Sequence, residues 1–177
     1  MSKNGLKSRL LKEYEEMIKI LFVCHGNICR SPMAEFVFKD IINREHAADR
    51  FYVASAATTS EEIWGGKGNP VYPPARRKLA EHGIGVEGNE LGVGLKRARL
   101  LKRSDYDEFD YLIGMDDENL WDMKALLGPD REHKISLLLD YTDHPRNVAD
   151  PWYTRDFDAT WNDISRGCEA LFRKVTH

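Results

Sequence analysis

One segment near the N-terminus limits the folds open to this chain more than any other. Residues 18–23, IKILFV, form a dense apolar run, which is typical of a central parallel strand covered on both faces. A turn-rich stretch, CHGNICRS, follows at residues 24–31, and Pro32 then suits the first turn of a helix, where no N–H is needed. Apolar residues recur at helical spacing over 33–42. Strand, glycine-containing loop and helix together predict the opening unit of an α/β fold.

The rest of the chain continues this alternation. Further strands are predicted over residues 51–56, 110–115 and 134–139, helices over 75–82, 116–127 and 157–175, loops over 58–74 and 146–153, and either a strand or a helix over 95–101. The order predicts a single doubly wound domain with a central four-stranded parallel sheet flanked by helices and the phosphate loop after the first strand. Residues 1–17 are polar and charged and predict an N-terminal helical arm or extension, which leaves 18–177 as the domain.

Composition limits the partners and the cellular setting. The net charge of -3 lacks the basic excess of nucleic-acid-binding proteins, and no apolar run approaches the roughly 20 residues that span a bilayer, so we expect neither nucleic acid nor membrane as a partner. Three cysteines, an odd number, argue against a disulfide scaffold and favour the cytoplasm. The histidines are scattered without tight ligand spacing, so we expect no metal and no cofactor.

The loop after the first strand has the composition of an anion-binding site. Backbone N–H groups at the carboxyl end of a strand, together with the positive end of the following helix, can surround a tetrahedral dianion. Gly26 permits backbone conformations that other residues avoid, and Asn27 is the non-glycine residue that best accepts a left-handed one. The predicted phosphate-binding residues are His25, Gly26, Asn27, Ile28, Cys29, Arg30 and Ser31.

Cys24 begins this loop and is the predicted nucleophile. Nearby N–H groups and Arg30 would stabilise its thiolate, and a phosphorus atom held in the loop would lie within its reach. Arg30 supplies a planar fork that matches two phosphate oxygens, and Ser31 can hydrogen-bond the sulfur. A structural strand-turn-helix and a noncatalytic phosphate-binding module are the alternatives, because the spacing of Cys24 and Arg30 is only moderately specific.

The residues from Val23 to Pro32, VCHGNICRSP, resemble the signature loop of the low-molecular-weight protein-tyrosine phosphatases. The resemblance extends from about residue 18 to the C-terminus, through SAAT at 55–58, HGI at 82–84 and DPWY at 150–153, which is similar to the family's general-acid loop. It implies an enzyme, a protein-tyrosine phosphatase that hydrolyses phosphotyrosine and small aryl phosphates through a cysteinyl-phosphate intermediate. It also implies that Asp150 is the general acid.

The same resemblance implies roles for residues around the loop. Its predicted supports, acting through side-chain hydrogen bonds, are Asn27, Ser31, Ser55 and His82. A slot for phosphotyrosine also needs aromatic or apolar walls beside the phosphate site. The predicted pocket residues are Ile28, Trp64, Trp152 and Tyr153. The expected partner is a phosphotyrosine protein or a small aryl phosphate, and the expected state is a monomer or a weak dimer.

Two relatives of the same fold offer other functions. Related protein-arginine phosphatases carry Thr where this chain has Ile28, so Ile28 favours tyrosine. Thioredoxin-coupled arsenate reductases relay a disulfide through further cysteines, and here only Cys168 lies outside the loop, among apolar helix positions that favour core packing. Cys29 is expected to form a reversible disulfide with Cys24 under peroxide, and a dithiol is expected to restore activity.

Overall fold

The computed structural model of the protein describes residues 3–177, in which strands and helices alternate along the chain. The strands are β1 (Ile18–Cys24), β2 (Phe51–Ala57), β3 (Ile63–Trp64), β4 (Lys67–Gly68), β5 (Tyr111–Gly114) and β6 (Ile135–Leu137). The helices are α1 (Lys3–Glu16), α2 (Arg30–Arg44), α3 (Pro73–Glu81), α4 (Asp105–Glu108), α5 (Asp117–Leu127), α6 (Pro151–Thr154) and α7 (Phe157–Thr176). Short 3-10 helices cover Ala48–Arg50, Val93–Leu95 and Leu138–Tyr141.

A parallel sheet of four strands, in the order β2-β1-β5-β6, forms the centre of the protein. The central strand β1 pairs with β2 along its whole length, from Ile18 opposite Phe51 to Cys24 opposite Ala57. This sheet, with its flanking helices and with the loop after the first strand, confirms the predicted fold class. Because β1 is an interior strand, the segment that leaves Cys24 emerges between the segments that leave β2 and β5.

Alternate residues of β1 pack into two separate apolar layers. Ile20 and Phe22 face the layer that contains α2 and α7, whereas Leu21 and Val23 face the layer that contains α5. All four side chains are fully buried, which explains why this strand is a continuous apolar run and shows no alternation with polar residues. Cys168 of α7 is buried in the first of these layers, as the apolar pattern around it predicted.

Several short elements differ from the predicted boundaries. Helix α2 already begins at Arg30, and the predicted loop over 58–74 contains a hairpin of β3 and β4 closed by Gly65 and Gly66, which both have positive φ. After Leu95, which ends a 3-10 helix, residues 96–101 form neither a helix nor a strand, although Leu100 makes an isolated parallel bridge to Ala57. Elements of two to four residues are too short to produce a readable periodicity, so the sequence did not reveal them.

Helix α1 lies on the outside of the domain, and none of its residues is buried. It is attached near its C-terminal end, where the Tyr14 ring packs against Tyr52 at a centroid distance of 5.3 Å and its hydroxyl donates to Glu108 at 2.7 Å. Desolvation by burial and the bond to Glu108 raise the pKa of Tyr14. Within residues 3–177, no helix combines the length and the apolarity needed to cross a bilayer.

Candidate active site

A cavity of about 790 Å³ opens beside the carboxyl ends of β1 and β5. It is lined by residues 24–30, which leave β1, by residues 147–153, which precede α7, and by Asp116 and Glu118 at the start of α5. Ligands of open α/β sheets bind at this edge, because the loops after neighbouring parallel strands meet there. The cavity therefore contains most of the predicted site residues.

Cys24 is buried next to the first turn of α2. Its Sγ lies 2.9 Å from the Ser31 Oγ, and the Ser31 backbone N–H donates to the sulfur at 3.4 Å. Among the described residues, none accepts a hydrogen bond from the backbone N–H of residues 25–29. These donors are therefore available to a bound anion, as expected for a phosphate loop.

Asn27 links the loop to the neighbouring strand. Its φ of 58° is the left-handed conformation that the sequence predicted for it. The Asn27 Nδ2 donates to the Ser31 Oγ at 2.8 Å and to the Ser55 Oγ at 2.9 Å, while its Oδ1 accepts from the Arg99 N–H at 3.1 Å. Because the Ser31 oxygen accepts from Asn27, the Ser31 hydroxyl hydrogen can point at the Cys24 sulfur.

Gly26 contributes to the loop for a reason other than backbone conformation. The φ angle of Gly26 is not positive, so a left-handed backbone does not explain why glycine occupies this position. A Cβ at this position would lie 3.1 Å from the Glu62 Cγ, closer than most Cβ contacts. Gly26 therefore makes room for a side chain that crosses the loop.

The hydrogen-bond network continues beyond Ser55 to a largely buried ion pair between Glu35 and Lys96. The Ser55 hydroxyl donates to Glu35, and the Lys96 Nζ lies 3.6 Å from the Glu35 Oε2 and donates to the Ser55 carbonyl at 3.0 Å. Burial lowers the pKa of Lys96, although Glu35 acts in the opposite direction. The sequence pattern missed both residues, because Glu35 lies in an otherwise apolar helix face and Lys96 lies in a segment without clear periodicity.

The predicted bracing role of His82 does not agree with its position. His82 is exposed at the C-terminus of α3, and its ring stacks on Trp161 with centroids 3.8 Å apart. No hydrogen bond joins it to residues 24–31 within the described chain. The polar side chain that reaches Ser55 from that part of the chain is Lys96 instead.

We expect Glu35→Gln to lower the free energy of unfolding by about 2–3 kcal/mol, because it leaves the largely buried Lys96 ammonium without its carboxylate. The loss should shrink as the pH rises toward the ordinary lysine range. The pKa of Lys96 is lowered in the folded protein, so the unfolded chain binds more protons there and stability rises with pH. Urea denaturation at several pH values measures both effects. Glu45→Gln, at the exposed C-terminal end of α2, is the control, and an equal loss there would contradict the assignment.

Arg30 lies in the wall of the cavity between two carboxylates. Its Nη1 is 2.6 Å from the Asp116 Oδ2, and its Nη2 is 3.1 Å from the Asp150 Oδ2. Burial disfavours the charged guanidinium, but Cys24, Asp116 and Asp150 outweigh burial and raise the pKa of Arg30. Asp116 was not among the predicted site residues, although an Asp between a strand and a helix is a typical N-cap, and it does cap α5.

Asp150 is held at the cavity by contacts on both sides of it in the chain. The Val148 N–H donates to the Met115 carbonyl at 2.8 Å, and the Ala149 N–H donates to Asp163 of α7 at 3.0 Å. The Asp150 Oδ1 caps α6 by accepting from the Trp152 N–H at 3.0 Å, so its Oδ2 is the oxygen that faces Arg30. The structure thus brings Cys24, Arg30 and Asp150 to one cavity.

The aromatic walls of the cavity differ in part from the prediction. Trp152, Tyr153 and Ile28 line it, and so does Tyr72, whose ring lies 6.3 Å from that of Trp152 and which the sequence pattern missed. Trp64 does not line it: its side chain is 72% exposed on the β3–β4 hairpin. Successive strand residues point to opposite faces, and the half-buried Ile63 turns Trp64 toward solvent.

Cys29 lies directly before α2 and is partly buried. Burial raises the pKa of the Cys29 thiol, and Cys24 adds to the rise while Arg30 opposes it. One group with metal-ligand chemistry occurs among residues 3–177: single ligand atoms of His25, Glu118 and Asp122 lie within 4.8 Å of one another. Spacing along the chain could not reveal this group, since it joins the phosphate loop to α5.

The fold and the site together define a doubly wound α/β protein whose first loop carries a cysteine and an arginine beside a carboxylate. The sequence profile described as "Low molecular weight phosphotyrosine protein phosphatase" matches residues 19–177. The chain therefore belongs to the low molecular weight phosphotyrosine protein phosphatase family, and it is a phosphatase. This confirms the resemblance that the loop and the DPWY segment indicated.

Named relatives lie at moderate sequence identity and match over most of the chain. The low molecular weight protein-tyrosine-phosphatase YfkJ of Bacillus subtilis is 35% identical over 161 residues, which are 90% of this chain and 96% of the relative. Its crystal structure superposes with a TM-score of 0.79 and covers 90% of this chain and 95% of its own. The low molecular weight phosphotyrosine protein phosphatase of Gallus gallus is 35% identical over 164 residues, covering 90% of this chain and 96% of its own. The crystal structure of a Drosophila arginine phosphatase has a TM-score of 0.75 at 29% identity, and covers 90% of this chain and 99% of its own.

Proposed function

We propose that this phosphatase hydrolyses phosphotyrosine in proteins, and small aryl phosphates, through a cysteinyl-phosphate on Cys24. One observation carries the proposal: Asp150, from a distant part of the chain, meets Arg30 in the cavity that also contains the Cys24 thiol. A phosphate-binding module would need the loop and Arg30, but it would not need a carboxylate placed beside them. Nucleophile, anion clamp and proton donor together form the minimal set for transferring a phosphoryl group and hydrolysing it.

In the first step, the Cys24 thiolate attacks phosphorus while the bond between phosphorus and the tyrosine oxygen breaks. Protonated Asp150 gives its proton to that oxygen, so tyrosine leaves as a neutral phenol. The N–H groups of residues 25–29 and the remaining donors of Arg30 hold the other phosphate oxygens and balance their negative charge. The products are a cysteinyl-phosphate and the dephosphorylated side chain.

In the second step, water attacks the phosphorus of the cysteinyl-phosphate. The Asp150 carboxylate takes one proton from that water, the bond between phosphorus and sulfur breaks, and inorganic phosphate forms. The Ser31 hydroxyl, 2.9 Å from the sulfur, donates to the departing thiolate, and Asn27 holds the Ser31 oxygen in place. Cys24 and Asp150 thereby return to their starting states.

The cavity walls favour an aromatic phosphate ester. Trp152 and Tyr72 form adjacent rings beside the phosphate loop, and Ile28 adds an apolar surface from the loop itself. Rings and aliphatic side chains favour a planar aromatic guest over a charged guanidino group. Arginine phosphatase activity is the second candidate, because one structural relative is the Drosophila arginine phosphatase.

The experiment that tests the proposal is a kinetic panel in the presence of EDTA. Peptides of one sequence carrying phosphotyrosine, phosphoserine or phosphoarginine are compared with p-nitrophenyl phosphate. We expect kcat/KM for phosphotyrosine to exceed that for either of the others by a factor of about 100 or more, since an aromatic group fills the slot. A preference for phosphoarginine would contradict the choice of substrate, and phosphate binding without turnover would contradict the enzymatic mechanism.

Other features bear on the alternative reductase function, the cellular location and the domain boundary. Cys168 is fully buried and its thiol contacts the Ala34 carbonyl of α2, so it is badly placed to relay a disulfide as an arsenate reductase would require. We place the protein in the cytoplasm because its three cysteines are free. We treat residues 1–17 as an appendage to a phosphatase domain at 18–177, since no residue of α1 is buried and the family match begins at residue 19.

A further inference from the structure

The mouth of the cavity carries carboxylates that the proposed reaction does not use. Glu61 and Glu62 precede β3, and Glu118 lies in the first turn of α5; all three line the cavity. We name Glu61, Glu62 and Glu118 the acidic rim. A cavity that accepts a phosphate dianion would be expected to have a neutral or basic approach, so this rim requires a separate explanation.

The acidic rim is attached to the phosphate loop. The Glu61 Oε2 lies 2.9 Å from the His25 Nε2, and the Glu62 side chain crosses Gly26, where a Cβ would come within 3.1 Å of its Cγ. The His25 ring also lies within 4.8 Å of ligand atoms of Glu118 and Asp122. The carboxylates therefore stand around the first residues of the phosphate loop, at the cavity that a substrate must enter.

Cations on the protein do not cancel this charge. Arg30 is the one arginine among the described residues that line the cavity, lysine is absent from that lining, and Arg30 is engaged by Asp116 and Asp150. The Glu61 carboxylate contacts His25, and within residues 3–177 the Glu62 carboxylate accepts a hydrogen bond from the neutral Asn69 amide alone, at 2.7 Å. A negative field consequently remains at the entrance, within the roughly 8–10 Å over which charges act at moderate salt.

We infer that the acidic rim selects phosphotyrosine peptides that carry lysine or arginine next to the phosphotyrosine and rejects those with acidic neighbours. The inference rests on the proposed phosphotyrosine activity. The phosphate loop binds the dianion, while the residues on either side of the phosphotyrosine remain at the mouth, opposite the rim. Basic side chains there meet carboxylates, and acidic ones meet like charge, which is the arrangement by which interfaces discriminate between partners.

The test compares two phosphotyrosine peptides that differ only in having lysine or glutamate at the two positions on each side. Each kcat/KM is divided by that of p-nitrophenyl phosphate for the same variant, so general effects on catalysis cancel. We expect the wild-type chain to prefer the lysine peptide by about 10-fold, from several exposed charge pairs of modest strength. Combined Glu61→Gln, Glu62→Gln and Glu118→Gln should reduce the preference to about 2-fold or less.

Glu87→Gln, an exposed site that does not line the cavity, is the matched control and should keep the full preference. Added salt should reduce the preference, since exposed pairs are screened. Equal efficiency for both peptides, or a preference that survives the triple change, would overturn the acidic rim as the selector. A preference for the glutamate peptide that EDTA abolishes would also overturn it, and would assign His25, Glu118 and Asp122 to a divalent cation. Failure of the phosphotyrosine activity itself is distinguishable, because neither peptide would then be hydrolysed.

Discussion

Cys24→Ser is expected to reduce turnover of p-nitrophenyl phosphate to the background rate, a loss on the order of 10⁴–10⁶-fold. On the proposed mechanism, the buried Cys24 sulfur is the nucleophile, and serine supplies a far weaker one at neutral pH. The N–H groups of residues 25–29, which have no acceptor within residues 3–177, hold the phosphate. The substitution is nearly isosteric, so the Ser31 contact and the loop should persist. Steady-state kinetics at substrate saturation measures the loss.

Phosphate binding separates a lost nucleophile from a collapsed loop. The Cys24→Ser protein should still bind inorganic phosphate in calorimetry, because Arg30 and the loop N–H groups remain. Cys168→Ala removes the other buried thiol and should keep turnover within about twofold while lowering stability, since Cys168 packs in the core and does not line the cavity. Substantial turnover by Cys24→Ser would rule out the cysteinyl-phosphate.

Asp150→Asn is expected to lower kcat by about 10²–10⁴-fold, since it removes the proton donor of the first step and the base of the second. Asparagine is also a good N-cap, so the start of α6 should be retained and the loss can be attributed to proton transfer. The loss should be larger for phenyl phosphate than for p-nitrophenyl phosphate, because nitrophenolate leaves readily without a proton. Kinetics with both esters measure that difference.

Asp156→Asn is the matched control for this change. Asp156 caps the neighbouring α7 by accepting from the Ala159 N–H at 3.0 Å, is exposed, and does not line the cavity. It should change kcat by less than about twofold while testing the same kind of substitution. Equal losses in both variants, or a loss at Asp150 that is independent of the leaving group, would contradict the general-acid role.

The long, strongly patterned parts of the chain were predictable from sequence. Strand β1 is a long apolar run because it is buried between two helical layers, and it leads directly into the phosphate loop. Helix α7 is long enough for its amphipathic periodicity to be read from the sequence. The left-handed Asn27 was predictable from residue chemistry alone. These features depend on local rules that tertiary contacts reinforce.

The remaining parts depend on contacts between distant segments. Trp64 is predicted to be an aromatic wall of the slot, but the β3–β4 hairpin that carries it contains two residue pairs and leaves Trp64 exposed. The orientation of so short a hairpin depends on contacts with the rest of the chain. The family resemblance implies a supporting role for His82. Lys96 lies in a segment with no regular pattern, and its packing against Glu35 is visible only after folding. Tyr72 reaches Trp152 through tertiary packing that no local spacing encodes.

The ion pair between Arg30 and Asp150 also affects how the pocket empties. At 3.1 Å from the guanidinium, an ionised Asp150 adds negative charge close to where inorganic phosphate would be bound. An ionised carboxylate there and a phosphate anion carry like charges, so they repel each other. On the proposed mechanism, the side chain that moves the proton therefore also opposes tight binding of the product anion whenever it is ionised.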